Sequence, residues 1–313
     1  MNIKKLDTLD PRVPNWGSAD FKQRACPFCY SNESIDFVYR PDNLMVNKCL
    51  KCDCFYLKNA PSEDSLNKFY KDYSKNHYNK SISKFSKIPD TNALINSYPI
   101  KKLKSKLGGS WQNKKILDYG CGRGELITHL NSNGASAIGV DIDDTAIKSA
   151  ELNSFDLYTD LSELPKDSFF DAAILFDFVE HPIGIRNILE DIAKYINEDG
   201  FILIWTPSAF DVIDNEIDSM EVFRYTLEHM QYLSSKTCVE IANFLNFKID
   251  HIETRGFPTS VEEYKRSNIF LTKLIIKGFI KKLIPKFIKD YRSKIRNNFD
   301  SSGNYHLFFI LKK

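Results

Sequence analysis

Residues 116–125 read Ile116-Leu117-Asp118-Tyr119-Gly120-Cys121-Gly122-Arg123-Gly124-Glu125. A short apolar strand ends there in a carboxylate, and three glycines spaced two apart lead into a helical pattern. Glycine lets the backbone turn tightly and lie against a ligand with no Cβ in the way. Amides at the start of the helix have no partner inside it and point toward whatever binds. A dinucleotide-binding turn has its third glycine or alanine one place later, where this chain has Glu125.

Four more apolar runs follow, alternating with helical patterns. The second run ends at Asp141, about twenty residues past the glycine turn, where a Rossmann-like unit has the carboxylate that accepts ribose hydroxyls. The third ends at Asp160-Leu161, and the fourth, Phe170 to Phe176, leads into residues 177–182. The fifth spans residues 201–205. This alternation predicts an α/β fold with a mostly parallel sheet covered on both faces.

Three of these motifs resemble class I S-adenosylmethionine-dependent methyltransferases: the glycine turn with its acid, Asp160-Leu161 and Glu180-His181-Pro182. The resemblance covers roughly residues 113–256 and the last ten residues. It implies a Rossmann-like sheet whose last strand is antiparallel, with S-adenosyl-L-methionine as cofactor. The cofactor-binding residues that we expect are Asp118, Gly120, Cys121, Gly122, Gly124, Asp141, Ile142, Asp160, Leu161 and Phe176.

Near the N-terminus, Cys26, Cys29, Cys49 and Cys52 form two Cys-x2-Cys pairs. Their spacing is close to that of a structural zinc ribbon, in which four thiolates hold Zn2+ at about 2.3 Å and leave no open position. Cys54 competes with Cys52 as the fourth ligand, and the spacing favours Cys52. The alternative is a small core of unligated thiols. The hairpin between the pairs is not basic, which argues against a ribbon that binds nucleic acid.

From Cys26 onward the chain resembles a group of bacterial methyltransferases in which a zinc-binding segment precedes the catalytic domain. Many members of that group act in glycan biosynthesis. The next stretch contains Tyr70, Tyr73 and Tyr78, which either form an aromatic wall for the substrate or anchor a helix on the core. The expected modules are a ribbon (1–60), a tyrosine-rich helical linker and cap (61–112), a methyltransferase core (113–256 and 301–313) and a basic amphipathic insertion (257–300).

Two histidines compete for the role of base in transfer to a hydroxyl. His181 follows the fourth strand at its carboxyl end, where open parallel sheets bind ligands. His229 lies in a segment that covers the acceptor pocket in related enzymes. We expect His229 first and His181 second, while His181 fits equally well as a hydrogen-bonded residue of its turn. Residues 177–180 lack the Asn/Asp-Pro-Pro-Tyr/Phe motif of many amino-directed enzymes, which favours O-directed or C-directed transfer.

The insertion is both apolar and basic over residues 269–296, and Pro285 should break its helix. Such a segment is typical of peripheral contact with anionic lipid. A helix packed on the sheet edge or on a dimer partner, a site for an anionic lipid-linked or nucleotide-linked substrate, and RNA contact are the alternatives.

Neither the formal charge of +2 nor the motifs predict a DNA partner. Residues 1–20 lack a signal-peptide pattern, and no apolar run reaches the roughly 18 residues of a membrane span. We therefore expect a cytoplasmic enzyme, at the inner face of the membrane if the insertion contacts lipid. The expected reaction is O-methylation of a saccharide or sugar-linked metabolite in surface-glycan assembly. The alternatives are an RNA methyltransferase and a non-catalytic metal-stabilised binding protein; the sequence assigns neither an exact acceptor nor an oligomeric state.

Overall fold

The computed structural model describes residues 3–9, 14–17, 19–71, 97–214, 216–255 and 305–313. The basic insertion with its predicted lipid-contact segment, Tyr73 and Tyr78 lie outside these residues. None of the helices in the described part of the chain combines the length and the apolar character needed to cross a bilayer.

The N-terminal part forms a small antiparallel sheet. Its elements are β1 (Phe21–Gln23), β2 (Ser34–Tyr39), β3 (Met45–Cys49), β4 (Phe55–Leu57), β5 (Asn59–Pro61) and α1 (Glu63–Lys71). β2, β3 and β4 pair in sequence, so the predicted hairpin between the cysteine pairs is present, and β1 pairs with β5.

The rest of the described chain alternates strands and helices. These elements are α2 (Tyr98–Lys106), β6 (Lys115–Tyr119), α3 (Glu125–Ser132), β7 (Ser136–Val140), α4 (Asp144–Asn153), β8 (Leu157–Tyr158), β9 (Phe170–Phe176), α5 (Ile185–Lys194), β10 (Ile196–Pro207), β11 (Gln231–Tyr232), α6 (Ser235–Leu245), β12 (Lys248–Arg255) and β13 (His306–Lys312). Short 3₁₀ helices span Leu161–Glu163 and Ile217–Phe223.

Seven strands form the central sheet in the order β12-β13-β10-β9-β6-β7-β8. Strands β10, β9, β6, β7 and β8 are parallel to one another. Strand β13 is antiparallel to both of its neighbours, β10 and β12. The predicted mostly parallel sheet with an antiparallel last strand is therefore confirmed. β10 begins earlier than predicted, with a register shift between Ile196 and Phe201.

Successive residues of the central strands alternate between two buried clusters, as the period of two in a strand requires. Leu117 and Leu175 belong to one cluster, and Ile116 and Ile174 belong to the other. The first cluster also contains the predicted metal ligands of the N-terminal part. The small sheet is also joined to the core, because β11 pairs with β4.

Candidate active site

The glycine turn links β6 to α3 with positive φ at Gly120, Gly122 and Gly124. A Cβ at Gly120 would lie 2.5 Å from Phe178 Cδ2, and one at Gly124 would lie 2.2 Å from Phe155 Cζ. Both positions therefore exclude a side chain for reasons of packing as well as backbone conformation. A Cβ at Gly122 would meet nothing within 4 Å in the described structure. The middle of the turn is thus open to a ligand that approaches the backbone.

Two carboxylates stand at the ends of neighbouring strands beside this turn. Asp141 Oδ2 accepts a hydrogen bond of 2.8 Å from Gly122 N, and Oδ1 accepts one of 2.8 Å from Asp143 N. Asp118 is buried, and its burial, together with the charges of Asp141 and Glu125, raises the pKa of its carboxyl to about 8. Burial also raises the pKa of Asp141. A bound cation would favour the ionised form of these groups.

The other predicted cofactor residues lie at the same edge of the sheet. Ile142 is 43% exposed and offers an apolar surface next to Asp141. Asp160 caps the 3₁₀ helix Leu161–Glu163 by accepting from Ser162 N at 2.8 Å, and Leu161 is buried beneath it. Cys121 fills the space that a side chain at position 139 would need, and Phe176 ends β9 with its ring 6.3 Å from that of Trp205.

A buried polar cluster follows β9, two residues beyond the phenylalanine that packs on Gly120. Glu180 is fully buried, and its Oε2 accepts a hydrogen bond of 2.9 Å from Thr206 Oγ1. Its Oε1 lies 4.0 Å from His181 Nε2 and 3.9 Å from His229 Nε2. The structure thus brings both predicted histidines to one carboxyl group. These three ligand atoms lie within 4.8 Å of one another, so the same set could also hold a metal ion.

Burial determines the ionisation of this cluster. It raises the pKa of Glu180 well above the ordinary value of a glutamic acid. Burial, and next the neighbouring His181, lower the pKa of His229 well below that of a free histidine. Burial therefore favours the uncharged form of both groups. Glu180 Oε1 and His229 Nδ1 have no hydrogen-bond partner in the described structure.

Tyr70 reaches this cluster from α1. Its Oη lies 2.7 Å from His181 Nδ1 and 3.2 Å from the carbonyl oxygen of Glu228, to which it can donate. In that arrangement the hydroxyl oxygen accepts from Nδ1–H and leaves Nε2 of His181 without a proton. Tyr70 also packs against a buried apolar cluster, so both interpretations of this tyrosine, a wall of the site and an anchor of its helix, stay open.

Residues 91–252, just over half of the chain, match the family described as "Methyltransferase domain". The chain belongs to this methyltransferase family.

Ubiquinone biosynthesis O-methyltransferase of Rickettsia typhi is 26% identical over 220 residues, covering 66% of this chain and 88% of that protein. The mitochondrial ubiquinone biosynthesis O-methyltransferase of Bos taurus is 38% identical over 104 residues, 29% of this chain and 28% of that protein. A solved SAM dependent methyltransferase from Archaeoglobus fulgidus is 18% identical, with a TM-score of 0.45, over 77% of this chain and 98% of that chain.

The protein is therefore an S-adenosylmethionine-dependent methyltransferase. Both of these relatives are named O-methyltransferases. The predicted saccharide acceptor finds no support in these relatives, whose name refers to ubiquinone biosynthesis.

Asp141→Asn removes the charged acceptor that we expect for the ribose hydroxyls of S-adenosylmethionine. It should weaken binding of this cofactor about tenfold or more, because a hydrogen bond to a charged group contributes about 1.5–3 kcal/mol. Isothermal titration calorimetry measures the affinity. Asp156→Asn, which changes an exposed acid just before β8, should leave it unchanged. Equal affinities of the Asp141 variant and the wild type would remove Asp141 from the ribose role.

The methyltransferase also carries a cluster of four buried thiols. The Sγ atoms of Cys26, Cys29, Cys49 and Cys52 lie within 4.8 Å of one another. In each pair the N–H after the second cysteine, at Tyr30 and at Asp53, donates to the carbonyl of the first cysteine. Both of those residues have positive φ, so the two cysteine pairs lie in separate turns of the same backbone conformation.

Cys54 lies outside this group of four. Its Sγ is within 3.4 Å of the Phe55 carbonyl oxygen and 3.7 Å of the Tyr232 carbonyl oxygen. The structure therefore groups Cys52, rather than Cys54, with the other three sulfurs.

Several residues of the site were not among the predicted site residues. Glu180 belongs to one of the motifs that carry the family resemblance, but its central position between the two histidines was not predicted. Thr206, the hydrogen-bond partner of Glu180, carries no sequence signal beyond its place at the end of β10. His306 is also buried, with the centroid of its ring 4.8 Å from that of Trp205, on which it stacks.

Proposed function

We propose that this methyltransferase methylates a hydroxyl group of a small molecule, with His229 as the base. The observation that carries the proposal is the convergence of Glu180, His181 and His229 on one buried point beside the glycine turn. Glu180 Oε1 lies 3.9 Å from His229 Nε2 and 4.0 Å from His181 Nε2. A hydroxyl oxygen between Glu180 and His229 can therefore reach hydrogen-bond distance of both, with His181 beside it.

The residues at the turn fit the cofactor. The open backbone at Gly122 admits a ligand, Asp141 offers a carboxylate to ribose hydroxyls, and exposed Ile142 offers an apolar face to a base. The acidic surroundings of Asp118 suit a cationic ligand. Bound there, S-adenosylmethionine would supply a methyl group on a sulfonium, with a neutral thioether as leaving group.

The chain's own residues then handle the proton. His229 is neutral and can accept the proton of the acceptor hydroxyl, while Glu180, protonated, can share a hydrogen bond with the same oxygen. His181, held through Nδ1 by Tyr70, is the more exposed of the two histidines, with 16% against 5% of its side chain accessible. We assign it to orienting the acceptor.

The low basicity of His229 favours an acidic hydroxyl. A phenol has a pKa of about 10, far below that of an alcohol, so a weaker base is sufficient to remove its proton. The name of the relatives, ubiquinone biosynthesis O-methyltransferase, also refers to the chemistry of quinones. We therefore propose a phenolic hydroxyl as acceptor. A saccharide hydroxyl is the second candidate, favoured by the four-cysteine segment, which resembles that of glycan-pathway methyltransferases.

Incubation with methyl-labelled S-adenosylmethionine tests the acceptor class. Catechol and UDP-glucose serve as the phenolic and saccharide probes, each beside a fractionated cell extract. We expect label in catechol and in organic-soluble extract. Label in UDP-glucose and polar sugars would replace the phenol with the saccharide candidate. Label confined to nuclease-sensitive material would overturn the small-molecule proposal.

The pH dependence provides a separate prediction. Because the pKa of His229 is lowered, its neutral, proton-accepting form persists to lower pH than that of a free histidine. At saturating S-adenosylmethionine, the acid limb of kcat/KM for the acceptor should therefore have its midpoint below pH ~6.5. A midpoint at or above that value would contradict the assignment of His229.

We further propose that Cys26, Cys29, Cys49 and Cys52 hold a structural Zn2+. Four sulfurs at about 2.3 Å from one tetrahedral ion lie about 3.8 Å apart. The sulfurs of Cys26 and Cys52, and those of Cys29 and Cys49, are 3.5 Å apart, and all four lie within 4.8 Å. Both the donor atoms and their spacing suit this ion.

A further inference from the structure

Arg40 is a fully buried cation that joins the N-terminal hairpin to the segment of His229. It follows β2 directly, and none of its side chain is exposed. Its guanidinium donates to the carbonyl oxygens of Leu227 and His229 and to Tyr232 Oη. The same group is paired with the carboxylate of Asp42, which is also buried.

Such a charge is costly to bury unless its donors are satisfied. An apolar side chain of similar size would often stabilise a fold at least equally well, so stability alone does not explain this arginine. A guanidinium differs in presenting a rigid fork of donors with fixed directions. Here the fork fixes three acceptors between residues 227 and 232. The contact to the His229 carbonyl anchors the backbone whose side chain lies 3.9 Å from Glu180.

A second arginine secures the other half of the site by a different route. Arg24 donates to the Met230 carbonyl oxygen and to Gln231 Oε1. Gln231 Nε2 in turn donates to the carbonyl oxygens of Val179 and Pro182, which flank Glu180-His181. Of these two arginines, only Arg40 contacts His229 itself, so it can be tested separately.

We propose that Arg40 is a positioning residue for His229, holding its backbone so that the ring faces Glu180 and His181. This inference rests on the proposed role of His229 as the base. It makes the N-terminal hairpin part of the acceptor site, in addition to any metal that the cysteines bind.

Arg40→Lys tests the proposal. Lysine keeps the charge beside Asp42, but it replaces two nitrogens, which donate separately to the carbonyl oxygens of His229 and Leu227, by one ammonium without the fixed directions of the guanidinium. The matched control is Asp42→Asn, which alters the same buried pair and retains an acceptor for the guanidinium. Both variants are measured for Kd of S-adenosylmethionine, for kcat with catechol, and by NMR of the His229 ring, assigned from its loss in His229→Asn.

We expect Arg40→Lys to lower kcat about 100-fold, the cost of a misplacement of about 1 Å, with Kd for S-adenosylmethionine within about twofold of wild type. The His229 ring signals should broaden or split in Arg40→Lys and stay single in Asp42→Asn. In a His229→Asn background, Arg40→Lys should have no further effect on kcat, because coupled residues are not additive.

Unchanged His229 signals in Arg40→Lys, or an equal loss of kcat in both backgrounds, would overturn the positioning role. Full activity of His229→Asn would instead remove the proposed base, while the ring signals would still report whether Arg40 holds His229 in place. If Arg40→Lys does not fold, Arg40→Gln is measured in its place, because its shorter side chain with one NH2 group cannot replace the donors to Leu227, His229 and Tyr232. Undisturbed His229 signals in that variant would likewise overturn the proposal.

Discussion

His229→Asn should lower kcat for the acceptor by about 10²- to 10⁴-fold, the range that a general base contributes. Asparagine keeps a polar side chain of smaller size in the buried site but cannot accept the proton. Kd for S-adenosylmethionine should stay within about twofold, because the expected cofactor residues lie around the glycine turn. Single-turnover assays with the labelled cofactor measure the rate, and calorimetry measures the affinity.

His251→Asn is the matched control for this substitution. His251 lies on β12, where its Nε2 is 3.1 Å from Glu253, and the change should leave kcat unaltered. An active His229→Asn enzyme would contradict the assignment. A dead enzyme that had also lost cofactor binding would show a general defect of folding instead.

Cys29→Ser should release bound zinc and lower the free energy of unfolding by about 4 kcal/mol or more, as loss of a structural metal does. The effect should extend beyond the thiol cluster, because Cys52 is linked to α6. Its carbonyl oxygen accepts from Ser234 Oγ at 3.2 Å and from Thr237 Oγ1 at 3.0 Å. Metal content is measured by elemental analysis of protein purified under reducing conditions, and stability by urea denaturation.

Cys54→Ser is the control that distinguishes the loss of a zinc ligand from the replacement of any buried cysteine. Cys54 is as buried as the other four, but its sulfur contacts carbonyl oxygens that a serine hydroxyl could also reach. This variant should retain the full zinc content. Zinc loss in Cys54→Ser, or a stable wild type that contains no metal, would contradict the proposed site.

The parts of the fold that the sequence predicted are those determined locally. The strand, the glycine turn and the helix after it are specified within ten residues, and a carboxylate at Asp141 follows at a distance fixed by one helix. The apolar strands are continuous enough to read without a partner. The order of the sheet then follows from the fold class that these units imply.

The contacts that complete the site depend on distant residues. β11 has two residues, too few for any periodic signal, and exists because β4 lies beside it. In the sequence Arg40 is only one of the mixed charges of a hairpin that is not basic, yet the structure buries it fully. A charge in a hairpin normally faces solvent, so its burial requires acceptors from residues 227–232, which sequence spacing could not reveal. Tyr70 likewise gains its position on His181 only through the packing of α1.

Transfer of a 13C-labelled methyl group, followed by NMR of the product, tests the central claim most directly. The wild-type enzyme, given 13C-methyl S-adenosylmethionine and its acceptor, should produce a single new signal with the carbon shift of a methoxy group. The same signal should be nearly absent with His229→Asn. A product signal in the N-methyl, S-methyl or C-methyl region would contradict O-methylation at the site of Glu180, His181 and His229.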